Sequence, residues 1–91
     1  MKASQEPKYM IVDENGVELP NAQIANRETG KPIPDDEPIM IFRAKDLHAQ
    51  VAIASYIPAL DNDQHAKAVE KRFDQFQEFK EANPDRVKEP D

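Results

Sequence analysis

The chain has no cysteine and no tryptophan among its 91 residues, and it has only two glycines. Without cysteine it can form no disulfide scaffold, no cysteine zinc site, no iron–sulfur cluster and no thiol nucleophile. No apolar run approaches the roughly 20 residues that cross a bilayer, so we expect no membrane partner and a cytoplasmic location. The formal net charge of −6 argues against direct binding to duplex DNA, because the phosphate backbone attracts cations.

The sequence also predicts no enzyme chemistry. Both glycines fall in predicted turns, so no glycine-rich loop is left to hold phosphate. Asp61, Asp63 and His65 lack the glycine and glutamate spacing of a calcium loop, and acidic residues at a helix start are explained by capping. His48 and Ser55 lie two helical turns apart, about 10 Å, which is too far for a base and its nucleophile. We therefore predict no catalytic residue, no metal and no cofactor.

The first 43 residues predict short strands joined by turns. Residues 9–12 form an apolar run, and Asn15 with Gly16 gives a strong hairpin signal because both tolerate positive φ. Residues 32–38 carry three prolines and predict an extended connector. The apolar run 39–42 predicts a strand that is buried on both faces or packed centrally under helices.

Two helices are predicted after this region. Over residues 46–57 the side chains are apolar almost all round, Asp46 is a good N-cap residue, and Pro58 ends or kinks the helix. Residues 62–83 form a longer amphipathic pattern that stops at an Asn-Pro pair. The second helix is nearly twice as long as the first.

Together these patterns predict an α+β fold. N-terminal β-hairpins or a small antiparallel sheet (9–43) precede an antiparallel two-helix hairpin, and both belong to one domain over residues 9–83. Residues 1–8 hold no large apolar side chain after Met1 and predict a mobile tail, while residues 84–91 predict a charged tail.

The supply of core side chains is small, which favours self-association. Only 22 of 91 residues are Ile, Leu, Val, Phe or Met, and a chain of this size buries only about 60–65% of its unfolded surface. The unequal helix lengths leave Phe76 and Phe79 on an overhang. We therefore predict a homo-oligomer whose interface comprises Ile53, Tyr56, Val69, Phe73, Phe76 and Phe79.

A candidate ligand site lies on the second helix. His65 and Arg72 are seven residues apart and so face the same way on an otherwise apolar stripe. An arginine beside aromatic rings can bind a phosphate or carboxylate, and Tyr56 or a phenylalanine can stack on a base. Arg43 is the other candidate anion contact, between the apolar run and the first helix. The alternative is that Arg72 lies at the edge of the stripe with its head in water.

One stretch resembles a pattern in small uncharacterised proteins of phages and prophages. A glycine turn precedes a Pro-x-Asp-Glu-Pro segment, an apolar run and Arg-Ala-x-Asp, after which a helix follows; here the match covers about 20 residues from Thr29. The resemblance carries no known chemistry. It implies a phage setting, in which small accessory proteins are often inhibitors or sequestering agents directed at host defence.

These expectations lead to one leading function and one alternative. The leading hypothesis is a non-catalytic, homo-oligomeric binding protein, a phage accessory factor in the host cytoplasm that sequesters or inhibits a host protein or a signalling nucleotide. The alternative is a structural or assembly protein whose helical hairpin is only an oligomer interface.

Overall fold

A computed structural model describes residues 1–89 and divides the chain into two compact units, Met1–Met40 and Ile41–Asp91. The second unit contains the two α-helices of the described residues, α1 (Ala49–Tyr56) and α2 (Asp63–Ala82). Short 3-10 turns occupy Ala3–Gln5, Ile57–Ala59 and Pro84–Arg86.

The first unit is held together by hydrogen bonds from its N-terminal residues. The Ala3 N–H donates to the Ala22 carbonyl at 2.7 Å, and the Ile24 N–H donates to the Met1 carbonyl at 2.9 Å. Met1 and Ala3 are 5% and 3% exposed, the lowest values in this unit. The segment 1–8, expected to be a mobile tail, is thus hydrogen-bonded to residues further along the chain.

The predicted α+β fold class is wrong. Residues 1–89 contain no β-strand and no sheet, and their extended segments meet only at isolated single-residue bridges. Two of these bridges join Val12 to Glu18 and Ala25 to Pro32. The N-terminal hairpins or small antiparallel sheet expected over residues 9–43 are therefore absent from the described chain.

The hairpin turn itself is present, which shows why the strands fail. Gly16 has φ of 80°, and the Asp13 carboxylate accepts hydrogen bonds from the Asn15 and Val17 N–H groups at 2.8 and 3.0 Å. A two-stranded hairpin is stable only when another layer covers its apolar face. Here Met10 is 63% and Val17 59% exposed, so no such layer is in place.

The apolar run 39–42 is not a buried strand. Met40 is 78% exposed, and Ile41 and Phe42 are both above 40%. The prolines of residues 32–38 have no N–H to give to a ladder, and the bridge that Pro32 does form is with Ala25 and not with this run. The buried strand is predicted from apolar composition alone, and composition does not tell whether another segment is available to pair with residues 39–42.

In the second unit, α1 begins later than the predicted residue 46. The Asp46 carboxylate accepts from the His48 N–H at 2.8 Å, so it caps a turn that precedes the helix. The Leu47 N–H donates to the Lys88 carbonyl at 2.8 Å, and the Lys88 N–H donates to the Lys45 carbonyl at 3.0 Å. This pairing keeps residues 46–48 out of the helix.

The helix α2 runs over Asp63–Ala82, close to the predicted 62–83, and its ends are formed by local hydrogen bonds. The Asn62 side chain accepts from the His65 N–H at 2.9 Å, which satisfies one of the free N–H groups of the first turn. At the other end the Asn83 side-chain amide donates to the Phe79 carbonyl at 3.1 Å.

We expect Asn62→Ala to lower the free energy of unfolding by about 1 kcal/mol, because the substitution removes the oxygen that caps α2. Thermal unfolding followed by circular dichroism at fixed protein concentration measures this loss. Asn62→Asp keeps an acceptor at the same place and serves as the control. Equal losses in the two variants would contradict a capping role.

The two helices lie side by side and run antiparallel. At the start of α1 the Gln50 side-chain amide donates to Oε1 of the Gln77 side chain at 2.6 Å, near the end of α2. At the end of α1, Tyr56 contacts His65 near the start of α2. Because α1 has 8 residues and α2 has 20, α2 is longer by roughly 18 Å.

Candidate functional site

Tyr56 and His65 form an aromatic pair at one end of the helix pair. Their ring centroids are 6.2 Å apart with an interplanar angle of 89°, and the Tyr56 hydroxyl lies 3.4 Å from His65 Nε2. The edge-to-face arrangement is one that aromatic rings prefer. Tyr56 is 49% exposed, so about half of the residue is open to solvent. These are two of the four ligand residues predicted from the sequence.

Arg72, the third predicted ligand residue, lies on the same side of α2 as His65. Seven residues correspond to nearly two helical turns, so the two positions differ by about 20° around the helix and about 10 Å along it. Arg72 is exposed, and no residue among 1–89 forms an ion pair with it. The structure therefore brings Tyr56, His65 and Arg72 to one side of the hairpin.

Arg43 is separate from this group. It precedes α1, and its carbonyl accepts from the Asp46 N–H at 3.0 Å in the turn that leads to the helix. Tyr56 is the last residue of α1, so the whole helix separates the two. The structure does not join Arg43 to the other three predicted ligand residues.

The predicted interface residues are partly covered by their own chain. The five apart from Tyr56, namely Ile53, Val69, Phe73, Phe76 and Phe79, are all half-buried. The Arg86 guanidinium lies 4.7 Å from the centroid of the Phe79 ring, a cation–π distance. The overhanging end of α2 is thus partly shielded by the turn that follows it.

An open groove of about 270 Å³ lies between α1 and α2, on the side away from the Tyr56–His65 pair. Its lining is mainly apolar, and Val51 is 66% exposed. The lining residues are Gln50, Val51, Ala54, Phe73 and Gln77. Of these only Phe73 was predicted. The sequence signal that could have indicated the groove is the absence of any Asp, Glu, Lys, Arg or His over residues 49–60.

Residues 84–89 fold back instead of projecting as a free charged tail. Beside the Lys45–Lys88 backbone pairing, His48 Nε2 lies 2.6 Å from the Glu89 carboxylate. Nothing in a charged segment with the single large apolar residue Val87 predicts this contact. Pro90 and Asp91, which complete the predicted tail, lie outside the described residues.

Both histidines of the described chain have a side-chain partner. Over residues 1–89 no group of three His, Asp or Glu side chains is placed to hold a metal ion. His48 is paired with Glu89 and His65 with Tyr56, so neither histidine is oriented toward a serine or threonine by these contacts. No helix in this part of the chain combines the length and hydrophobicity needed to cross a bilayer.

Comparison with models of protein families, with curated proteins and with solved structures gives no match for this chain.

Proposed function

We propose that the chain is a non-catalytic binding protein that functions as a homo-oligomer. The observation that carries the proposal is how little of the chain is buried. Only Met1, Ala3 and Ala49 have buried side chains among the described apolar residues. Eleven large apolar side chains are exposed, and they occur in both units: Met10, Ile11, Val12, Val17, Leu19, Met40, Ile41, Phe42, Leu47, Val51 and Tyr56.

The accessible area supports the same conclusion. The chain exposes 7267 Å², whereas a compact folded monomer of 10.4 kDa exposes about 5,400 Å². Two separate compact bodies of half that mass would together expose about 6,500 Å². The remaining excess of about 800 Å² is close to the area that a standard protein interface removes from each partner.

We place a second copy of the chain on the groove side of the helix pair, where Val51 is one of the exposed apolar side chains. Val51 and Phe73 supply an apolar centre there, and the hydrogen-bonded side chains of Gln50 and Gln77 lie at its edge. A polar rim around an apolar centre is the usual anatomy of an interface. This arrangement leaves the Tyr56–His65 side free for another partner.

The biological role follows from the phage resemblance of the segment from Thr29. In that setting the assembled protein would act in the host cytoplasm and would sequester or inhibit a host protein or a signalling nucleotide. Binding without turnover is favoured because no nucleophile, base and orienting group converge in the described residues. An oligomer that binds nothing would instead indicate the assembly protein considered as the alternative.

Recovery of ligand after incubation tests the non-catalytic part of this proposal. The full chain would be incubated for hours with ATP, cyclic di-AMP and a short oligothymidylate, then heat-denatured, and the supernatant separated by chromatography. We expect every nucleotide to return chemically unchanged. Time-dependent formation of a hydrolysed or transferred product, absent from a buffer control, would contradict the proposal.

A further inference from the structure

The side of α2 that carries Arg72 has a distinct composition. We define the Arg72 flank as His65, Val69, Arg72, Phe76 and Phe79, which lie within about 60° of Arg72 around the helix, as do the uncharged Ala68 and Gln75. It combines two cationic or protonatable side chains with two phenylalanine rings and a valine. The Arg86 guanidinium, over the Phe79 ring, adds a further positive charge at the far end.

No acidic residue of α2 lies on this flank. The helix has five, and each is about 120° or more from Arg72 around the helix axis: Asp63, Glu70, Asp74, Glu78 and Glu81. Arg72 therefore has no carboxylate of its own helix beside it, and this favours an anion over a second copy of the same cationic surface.

The accessible aromatic ring lies at a suitable distance from the charge. Tyr56 packs against His65, and Arg72 follows His65 by about 10 Å along the helix. Because Cα–Cβ bonds tilt toward the helix N-terminus, the long side chain of Arg72 extends back toward His65. A ligand that joins a flat ring to a phosphate a few ångströms away can therefore contact both.

We propose that the Arg72 flank binds a nucleotide, with a phosphate on the Arg72 guanidinium and the base against the Tyr56–His65 rings. The guanidinium matches phosphate oxygens in a two-pronged hydrogen bond, and an aromatic ring accepts the face of any base. This inference rests on the proposed function, since it names the ligand class of that binding protein. The ligand can be a free nucleotide or a single-stranded oligonucleotide.

Calorimetric titration of the full chain in 50 mM NaCl tests the site. The probes are ATP, cyclic di-AMP, a ten-residue oligothymidylate and inorganic phosphate. We expect saturable binding of at least one of the three nucleotide probes and much weaker binding of inorganic phosphate. Tight binding of the oligothymidylate alone would show that the ligand is single-stranded nucleic acid. Tight binding of ATP or cyclic di-AMP would show that it is a free nucleotide.

Three variants locate the site. Arg72→Gln should weaken nucleotide binding at least tenfold, because a charge-assisted hydrogen bond is lost. Lys67→Gln makes a matched loss of charge on the same helix, about 140° away from Arg72, and should change the affinity less than twofold. Tyr56→Ala should also weaken binding, whereas Tyr56→Phe keeps the ring and should largely preserve it.

Several results would overturn the proposal. These are no saturable binding of any nucleotide probe at 1 mM, inorganic phosphate binding as tightly as the nucleotides, or equal losses in Arg72→Gln and Lys67→Gln. Circular dichroism spectra of the variants must match the parent, so that loss of fold is not mistaken for loss of site. Sedimentation of Arg72→Gln distinguishes a failure of the nucleotide site from a failure of the proposed oligomer. The variant should assemble like the parent whether or not it binds nucleotide.

Discussion

Replacing Val51 by glutamate is expected to convert the proposed homo-oligomer into monomers while the helices remain folded. Val51 is 66% exposed in the single chain, so a glutamate there costs the folded monomer little. In a docked pair the same carboxylate would be removed from water without a partner. We expect the dissociation constant of the assembly to rise by at least about 100-fold, equivalent to roughly 3 kcal/mol. Sedimentation velocity over a range of concentrations measures the change.

Val17→Glu is the matched control for this substitution. Val17 has a similar exposure of 59% but belongs to the first unit, whose described residues form no α-helix. It should leave the assembly intact. If Val17→Glu dissociates the oligomer and Val51→Glu does not, the copies associate through another surface and the groove between α1 and α2 is not the interface.

The second large effect is expected at Ala49, the first residue of α1. It has no exposed area, and it is the only buried residue in the described part of the second unit. Ala49→Leu adds three carbons where neighbouring atoms already surround the methyl group, and such overpacking usually costs about 1–3 kcal/mol. Chemical denaturation at one fixed protein concentration should show this loss, with a lower transition midpoint and reduced helical signal.

Ala52→Leu provides the comparison within the same helix. Ala52 is exposed, and leucine and alanine have similar helix propensities, so this variant should be within about 0.5 kcal/mol of the parent. A destabilisation by Ala52→Leu as large as that by Ala49→Leu would mean that α1 is covered on both sides, and the account of its exposed face would then be wrong.

The sequence was most informative where the pattern is local. The end of α2 at the Asn-Pro pair and the left-handed turn at Gly16 depend on neighbouring residues, and both are present in the structure. The shared orientation of His65 and Arg72 follows from helical periodicity alone. These features need no information about which distant segments meet.

The features that failed depend on long-range partners. Residues 9–12 and 39–42 have strand-like composition, but a strand needs a neighbour with free N–H and C=O groups and a layer to cover it. The prolines of residues 32–38 lack the N–H groups with which a neighbouring strand would pair, and the apolar composition of a run gives no information about its neighbours. The predicted segments therefore have strand-like residue types, but they do not pair with one another to form a sheet.

The contact between residues 45–48 and 88–89 could not be predicted from the sequence for a related reason. It joins backbone groups of Lys45, Leu47 and Lys88 and one side-chain pair, His48 with Glu89. Backbone hydrogen bonds are nearly independent of residue type, so sequence patterns do not indicate them.

Sedimentation equilibrium of the unmodified chain tests the central claim most directly. Measured from about 1 to 100 µM, the weight-average mass should rise above the monomer value of 10.4 kDa and approach an integral multiple of it. That result is expected because a single copy leaves its large apolar side chains exposed. A mass of 10.4 kDa at every concentration would contradict assembly through the helix pair.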